Sequence, residues 1–100
     1  MNQPRVAFVT GGGGGIGSAI CRELAAKGHR VAVADLSPAS AQSVASDIDG
    51  LSVVCDVADA ESVTAAVTQV QSMLGTIGVL INCAGWDQFL PLIEPDEAVQ

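Results

Sequence analysis

The segment "TGGGGGIGSAI", residues 10–20, is the most informative part of this chain because it contains six glycines between a predicted strand and a predicted helix. Glycine loses more conformational entropy on folding than any other residue, so such a dense run needs a reason. The apolar "RVAFV" before it predicts a buried strand, and Ile16, Ile20 and Leu24 after it recur at four-residue spacing and predict a helix face. A flexible linker would not be flanked so closely on both sides. The run is instead typical of a loop whose backbone approaches a ligand.

The rest of the chain repeats this alternation of strand and helix. The stretches "RVAVADL", "LSVVCDV" and "GVLINCAG" predict three further buried strands, and "PDEAVQ" predicts the opening of a fourth helix. Ser37 and Pro38 predict the start of the second helix, while Asp59 and Gly75 predict the cap and the end of the third. Continuously apolar strands separated by helices predict an α/β fold, a Rossmann-type doubly wound parallel sheet. Right-handed crossovers place the first two helices on one face and the third on the other, which gives the strand order 3-2-1-4.

Composition excludes several classes of function. Hydrophobic residues make up 49% of the chain and charged residues only 15%, which excludes disorder. The net charge of −7 argues against binding to nucleic acid or to an anionic membrane, and no apolar run approaches the length of a membrane helix. Cys21, Cys55 and Cys83 lie among apolar neighbours without metal-ligand spacing, so no metal site is expected. The thiols and the lack of a signal-peptide layout predict a cytoplasmic location.

The glycine run predicts a nucleotide site. Residues without side chains let the backbone approach a pyrophosphate, and the N–H groups at the start of the following helix hold its negative charge. Three patterns fit at once. Gly12, Gly14 and Gly17 match the general GxGxxG fingerprint, and Gly11, Gly14 and Gly17 match the TGxxGxxG of extended short-chain dehydrogenases. Gly11, Gly15 and Gly17 match the TGxxxGxG of the classical ones.

An acidic residue at the end of the second strand bears on the choice of nucleotide. Asp35 lies at the roughly 20-residue spacing expected of a carboxylate that binds the ribose hydroxyls of adenosine. The alternative is an acid that only shapes the turn into the second helix. The same carboxylate would repel a 2′-phosphate, and the glycine loop contains no Arg or Lys to compensate. NAD is therefore favoured over NADP.

With "CDV" after the third strand and "NCAG" after the fourth, the chain closely resembles the classical short-chain dehydrogenase/reductase family over essentially its whole length. In that family the Asp of the first motif holds adenine through its carboxylate and the Val through its backbone, and the Asn of the second steadies the sheet. Cys83 replaces the commoner second Asn. Residues 12–14 are then expected only to fill the loop. The resemblance implies these cofactor contacts: Gly11, Gly15, Ile16, Gly17, Asp35, Leu36, Asp56, Val57, Asn82, Ala84 and Gly85.

The resemblance implies an oxidoreductase that transfers hydride between NAD and a secondary alcohol or ketone. The family uses a Tyr to exchange the substrate proton, a Lys four residues later and a Ser. This sequence has no Tyr, and its only Lys is Lys27 in the first helix, so no catalytic residue is expected here. We therefore expect residues 1–100 to be an NAD-binding half-domain, inactive alone and the N-terminal part of one longer domain. Homo-oligomers, dimers or tetramers, would form through regions beyond residue 100.

The substrate leaves a weaker signal. Trp86 and Phe89 follow the fourth strand and either line the entrance to the active site or pack the loop onto the sheet. The segment "NCAGWD" faintly resembles hydroxyacyl-CoA dehydrogenases of the 2-hydroxycyclohexanecarboxyl-CoA type. Reductases of 3-oxoacyl-carrier-protein share the whole pattern but usually favour NADP, against Asp35. A different class also stays open, a non-catalytic module that binds NAD or a protein partner.

Overall fold

Residues 3–83 are described by the computed structural model, and they contain four strands and three helices. All strand pairs are parallel, and the order across the sheet is 3-2-1-4, which confirms the predicted topology. The fourth helix expected in "PDEAVQ" lies outside the described residues. In chain order the elements are β1 (Val6–Thr10), α1 (Gly15–Ala26), β2 (Arg30–Asp35), α2 (Pro38–Ile48), β3 (Leu51–Val54), α3 (Ala60–Leu74) and β4 (Ile77–Asn82).

The helix boundaries follow the capping chemistry in the sequence. Ser37 caps α2 by accepting a hydrogen bond from the Ser40 backbone N–H, and Asp49 ends that helix in the left-handed conformation at φ 57°. Asp59 caps α3 through its side chain, and Gly75 ends it at φ 111°, a conformation that favours glycine. The predicted starts of α2 and α3 and the predicted end of α3 are therefore confirmed.

Two hydrophobic clusters hold the layers together, one on each face of the sheet. On one face α1 and α2 pack against β1 and β2, and on the other α3 packs against β1, β2 and β3. This arrangement confirms the predicted placement of the helices. The buried members of the first cluster are Val9, Cys21, Val31, Val33, Ala41, Val44 and Ala45. Those of the second are Val6, Phe8, Ala32, Ala34, Val53, Cys55, Ala66 and Val70.

The buried face of α1 agrees only in part with the predicted one, since Leu24 packs against the first cluster but Ile16 does not. Ile16 is 68% exposed, and the buried residues of the helix are Gly17 and Cys21. The reason is a backbone contact, since a Cβ atom at position 17 would overlap the carbonyl oxygen of Gly11. Only glycine permits this approach, so the helix turns its glycine, and not Ile16, toward the loop.

The fourth strand borders only β1 among the described residues. Leu80 pairs with the buried Phe8 yet is 67% exposed, because α3 packs over the other three strands and leaves this part of the sheet uncovered. In the described part of the chain, β4 therefore exposes a large apolar side chain at the edge of the sheet. No helix within residues 3–83 is long and apolar enough to cross a membrane.

Candidate cofactor-binding site

The carboxyl ends of the four parallel strands meet at one edge of the sheet. Thr10, Asp35 and Asn82 end β1, β2 and β4, and Asp56 follows β3 by two residues. The strand register places Thr10 opposite Asn82 on one side and opposite Ala34 on the other. Ligands of open α/β sheets bind at this edge, where connections lead to opposite faces.

The glycine loop leaves β1 by a sharp turn and delivers the chain to the start of α1. Gly11 adopts φ 68°, which favours glycine, and the Gly12 N–H donates to the Ala34 carbonyl oxygen at 2.9 Å. The Gly14 N–H donates to the Gly11 carbonyl oxygen at 3.1 Å, and Gly14 caps α1 without a side-chain hydrogen bond. The first turn of α1 contains no acidic residue, so its N–H groups and positive dipole end suit a phosphate.

The glycines of the loop differ in how tightly they are packed. A Cβ atom on Gly12 would lie 2.9 Å from the Val33 Cγ1 atom, and one on Gly13 would lie 2.6 Å from the Ser40 Cβ atom. At Gly15 a Cβ atom would meet nothing within 4 Å. The expectation that residues 12–14 only fill the loop is wrong for Gly12 and Gly13, because their positions cannot hold a side chain. The surface is open at Gly15, as the approach of a ligand to the start of α1 would require.

Asp35 connects the glycine loop to the start of α2. Its Oδ2 atom accepts the Gly13 N–H at 2.9 Å, and its Oδ1 atom accepts the Ser37 N–H at 3.0 Å. The carboxylate is half-buried, whereas the adjacent Leu36 is 66% exposed. Asp35 thus has the turn-shaping role that sequence reasoning left open. The Asp35 carboxylate also places a negative charge beside the glycine loop.

The loop after β3 is organised around Asp56. Its backbone N–H donates to the Ser62 Oγ atom at 2.9 Å, and its Oδ1 atom accepts the Ala58 N–H at 3.0 Å. Val57 is exposed on the surface of this loop. Sequence reasoning missed Ser62 and Ser40, although each lies in the first turn of a helix whose start was predicted.

A hydrogen bond across the sheet joins the first strand to the "NCAG" segment. The Thr10 Oγ1 atom donates to the Asn82 Oδ1 atom at 2.6 Å, and the Cys83 N–H donates to the Thr10 carbonyl oxygen at 3.0 Å. These bonds fix the end of β4 against the glycine loop. The remaining predicted contacts at Ala84, Gly85, Trp86 and Phe89 lie outside the described residues.

The three thiols are free, and each has a raised pKa. Burial, assisted by the nearby Cys83, raises the pKa of Cys21 from 9.0 to about 11. Burial also raises the pKa of Cys55, with a further contribution from Asp56, and that of Cys83. Cys21 lies beneath the loop, where its Sγ atom is 3.9 Å from the Gly12 carbonyl oxygen. These thiols are protonated at neutral pH and act as small apolar residues.

A glycine loop at the start of a helix and an acid at the end of β2 define the half of a Rossmann-type sheet that binds a dinucleotide. The comparison with known families agrees, since the short chain dehydrogenase family model matches residues 5–99. The chain belongs to this family, whose members bind a nicotinamide cofactor, and it corresponds to the N-terminal half of the classical type.

Individual relatives are oxidoreductases. The chain is 41% identical to D-threitol dehydrogenase of Mycolicibacterium smegmatis over 95 residues, which cover 90% of this chain and 36% of the relative. It is 44% identical to acetoacetyl-CoA reductase of Cupriavidus necator, over 81% of this chain and 35% of the relative. The crystal structure of 3-ketoacyl-(acyl-carrier-protein) reductase from Brucella melitensis complexed with NADH superimposes with a TM-score of 0.74 at 33% identity. That match covers 76% of this chain and 32% of that structure.

Proposed function

We propose that this chain is the NAD-binding half of an oxidoreductase that transfers hydride between NAD(H) and a secondary alcohol or ketone. The observation that carries the proposal is the Asp35 carboxylate, held 2.9 Å from the Gly13 N–H at the edge where the dinucleotide binds. A carboxylate there accepts hydrogen bonds from ribose hydroxyls and repels a 2′-phosphate. Residues 11–17 contain no cation that would offset this repulsion.

The described residues fit the cofactor in distinct roles. The N–H groups of Gly15, Ile16 and Gly17, at the start of α1, would hold the pyrophosphate, and the backbone of Gly11 turns the chain toward it. Asp35 would bind the adenosine ribose with Leu36 beside it. Bound NAD supplies the hydride acceptor, and this half supplies its binding and orientation.

Asp56 and Val57, on the neighbouring loop, would hold the adenine. Asn82 would fix the segment beside the cofactor, and Ala84 and Gly85 would contact it through their backbone.

For the substrate, two chemical classes are proposed from the relatives of the chain. D-threitol dehydrogenase among the relatives supports a small alcohol or polyol. Acetoacetyl-CoA reductase supports a second candidate, a hydroxyacyl or ketoacyl thioester, which agrees with the faint resemblance of "NCAGWD" to hydroxyacyl-CoA dehydrogenases. Oxidation rates of the native protein with threitol and with 3-hydroxybutyryl-CoA distinguish the two candidates.

The catalytic part is proposed to lie outside residues 1–100. The chain covers 36% of D-threitol dehydrogenase and contains no Tyr. We expect the intact mass of the native polypeptide to be well above 10.1 kDa, with a Tyr-x-x-x-Lys motif and a Ser in the additional sequence. A native mass of 10.1 kDa would instead leave an NAD-binding module without a catalytic acid. We further propose that the native protein is a homo-oligomer and is cytoplasmic. Light scattering tests the oligomeric state, and cell fractionation tests the location.

The cofactor assignment is tested by Asp35→Asn in the native protein. Removing the charge should weaken NAD binding about tenfold or more and reduce the discrimination against NADP, because a charge-assisted hydrogen bond contributes about 1.5–3 kcal/mol. Asp59→Asn is the matched control, since it removes the same charge from an exposed helix cap that Asn also serves well. Unchanged NAD affinity in a folded Asp35→Asn protein would exclude Asp35 as the ribose ligand.

A further inference from the structure

The four cations of the chain divide into two pairs with different surroundings. Arg22 forms an ion pair with Asp47 at 3.1 Å, and Lys27 forms one with Glu23 at 3.5 Å. Arg5 and Arg30 form no ion pair with a carboxylate anywhere in residues 3–83. In a chain of net charge −7, two unpaired guanidinium groups are a marked local excess of positive charge.

Both unpaired arginines line the same cleft. It has a volume of about 450 Å³ and lies where β1, β2 and β4 begin, beside the end of α3. This is the end of the sheet opposite the glycine loop, so about 16 Å, the length of a five-residue strand, separates the cleft from the candidate cofactor site. The lining contains Thr76 and no acidic residue.

The structure holds both arginines over the cleft. The Arg30 Nη1 atom donates to the carbonyl oxygen of Leu74 at 3.0 Å, which orients the guanidinium and leaves its other N–H groups for a ligand. The aliphatic part of the Arg5 side chain packs over Gly78. A Cβ atom built on Gly78 would lie 3.5–3.8 Å from the Cβ, Cγ and Cδ atoms of Arg5. The guanidinium of Arg5 makes no hydrogen bond among the described residues.

From this geometry we propose that the cleft is a binding site for a small oxyanion, a phosphate or a carboxylate. Arg5 and Arg30 provide the recognition, since guanidinium groups bind both classes in bidentate fashion. Thr76 lines the same cleft, and a threonine hydroxyl is a further hydrogen-bond donor. The site is separate from the proposed NAD site and does not depend on the proposed function.

The test is calorimetric titration of the native protein at low ionic strength with inorganic phosphate and, separately, with succinate. Saturating NAD is present, so that phosphate cannot occupy the glycine loop. We expect saturable binding of at least one of the two anions. Saturation by phosphate alone assigns a phosphate-bearing ligand, and saturation by succinate alone assigns a carboxylate.

The arginine variants decide whether the binding belongs to this cleft. Arg5→Gln should weaken it about tenfold or more, because it removes a charge-assisted contact while the bond that Arg30 makes to α3 stays in place. Arg22→Gln, which changes a cation paired with Asp47, should leave the affinity unchanged. No saturable binding of either anion, or equal binding by wild type and Arg5→Gln, would overturn the proposal.

Discussion

Two glycines of the same loop should respond oppositely to alanine. At Gly13 a Cβ atom would lie 2.6 Å from the Ser40 Cβ atom and 3.0 Å from the Asp35 Oδ2 atom. At Gly15 it would enter open space, and this glycine does not have the positive φ that would disfavour alanine. We therefore predict that Gly13→Ala damages the fold, whereas Gly15→Ala leaves the fold intact and impairs cofactor binding.

The magnitudes follow from these contacts. Forcing a methyl group into a packed site costs about 1–3 kcal/mol. Displacing the loop also breaks the bond from the Gly13 N–H to Asp35, which contributes about 1.5–3 kcal/mol. The same displacement of the loop causes both losses, so the two costs are coupled and do not simply add. We expect Gly13→Ala to lower the free energy of unfolding by about 2–4 kcal/mol. Gly15 begins α1, where alanine is favoured over glycine by up to about 1 kcal/mol.

Chemical denaturation and NAD titration of the native protein measure the two effects separately. Gly13→Ala should lower the denaturation midpoint, while Gly15→Ala should keep or raise it and weaken NAD binding. Comparable stability of the two variants would show that the contact of the loop with α2 is not tight in solution. Normal NAD affinity of Gly15→Ala would show that the pyrophosphate does not lie over the start of α1.

Two other substitutions probe the sheet edge and the buried thiol. Thr10→Val removes the hydroxyl that donates to Asn82 and should lower the free energy of unfolding by about 0.5–1.5 kcal/mol, since the exposed Asn82 can bind water instead. The same change at the exposed Thr64 is the control. Equal losses at the two positions would refute the role of the bond. Below pH 9.0 the Cys21 thiol is protonated in both the folded and the unfolded protein. Between pH 9.0 and about 11 only the unfolded state loses this proton, so the free energy of unfolding falls as the pH rises. The free energy of unfolding falls by about 2–3 kcal/mol in total over this range. In thermal unfolding measurements, Cys21→Ala should remove this part of the decrease in stability at alkaline pH. An unchanged decrease would contradict the raised pKa of Cys21.

The amino-acid sequence alone is enough to predict the parallel sheet, the strand order, the starts of α2 and α3 and the end of α3. Alternating apolar strands and helices leave few topologies once crossovers are right-handed, and capping residues such as Ser37 and Asp59 act within three positions of themselves. These features are local or follow general rules of chain geometry. For the same reason, the motifs at the strand ends indicate the family without any knowledge of the tertiary structure.

The side-chain contacts at the candidate site depend on the tertiary structure and could not be predicted from the sequence. The contact of Gly13 with Asp35 joins residues 22 positions apart, and the bond of Thr10 to Asn82 joins residues 72 apart. The exposure of Ile16 depends on how closely α1 approaches Gly11, which four-residue spacing does not encode. Such distances depend on how the helices pack against the sheet. Close packing leaves room for a side chain at one glycine and none at another glycine of the same loop.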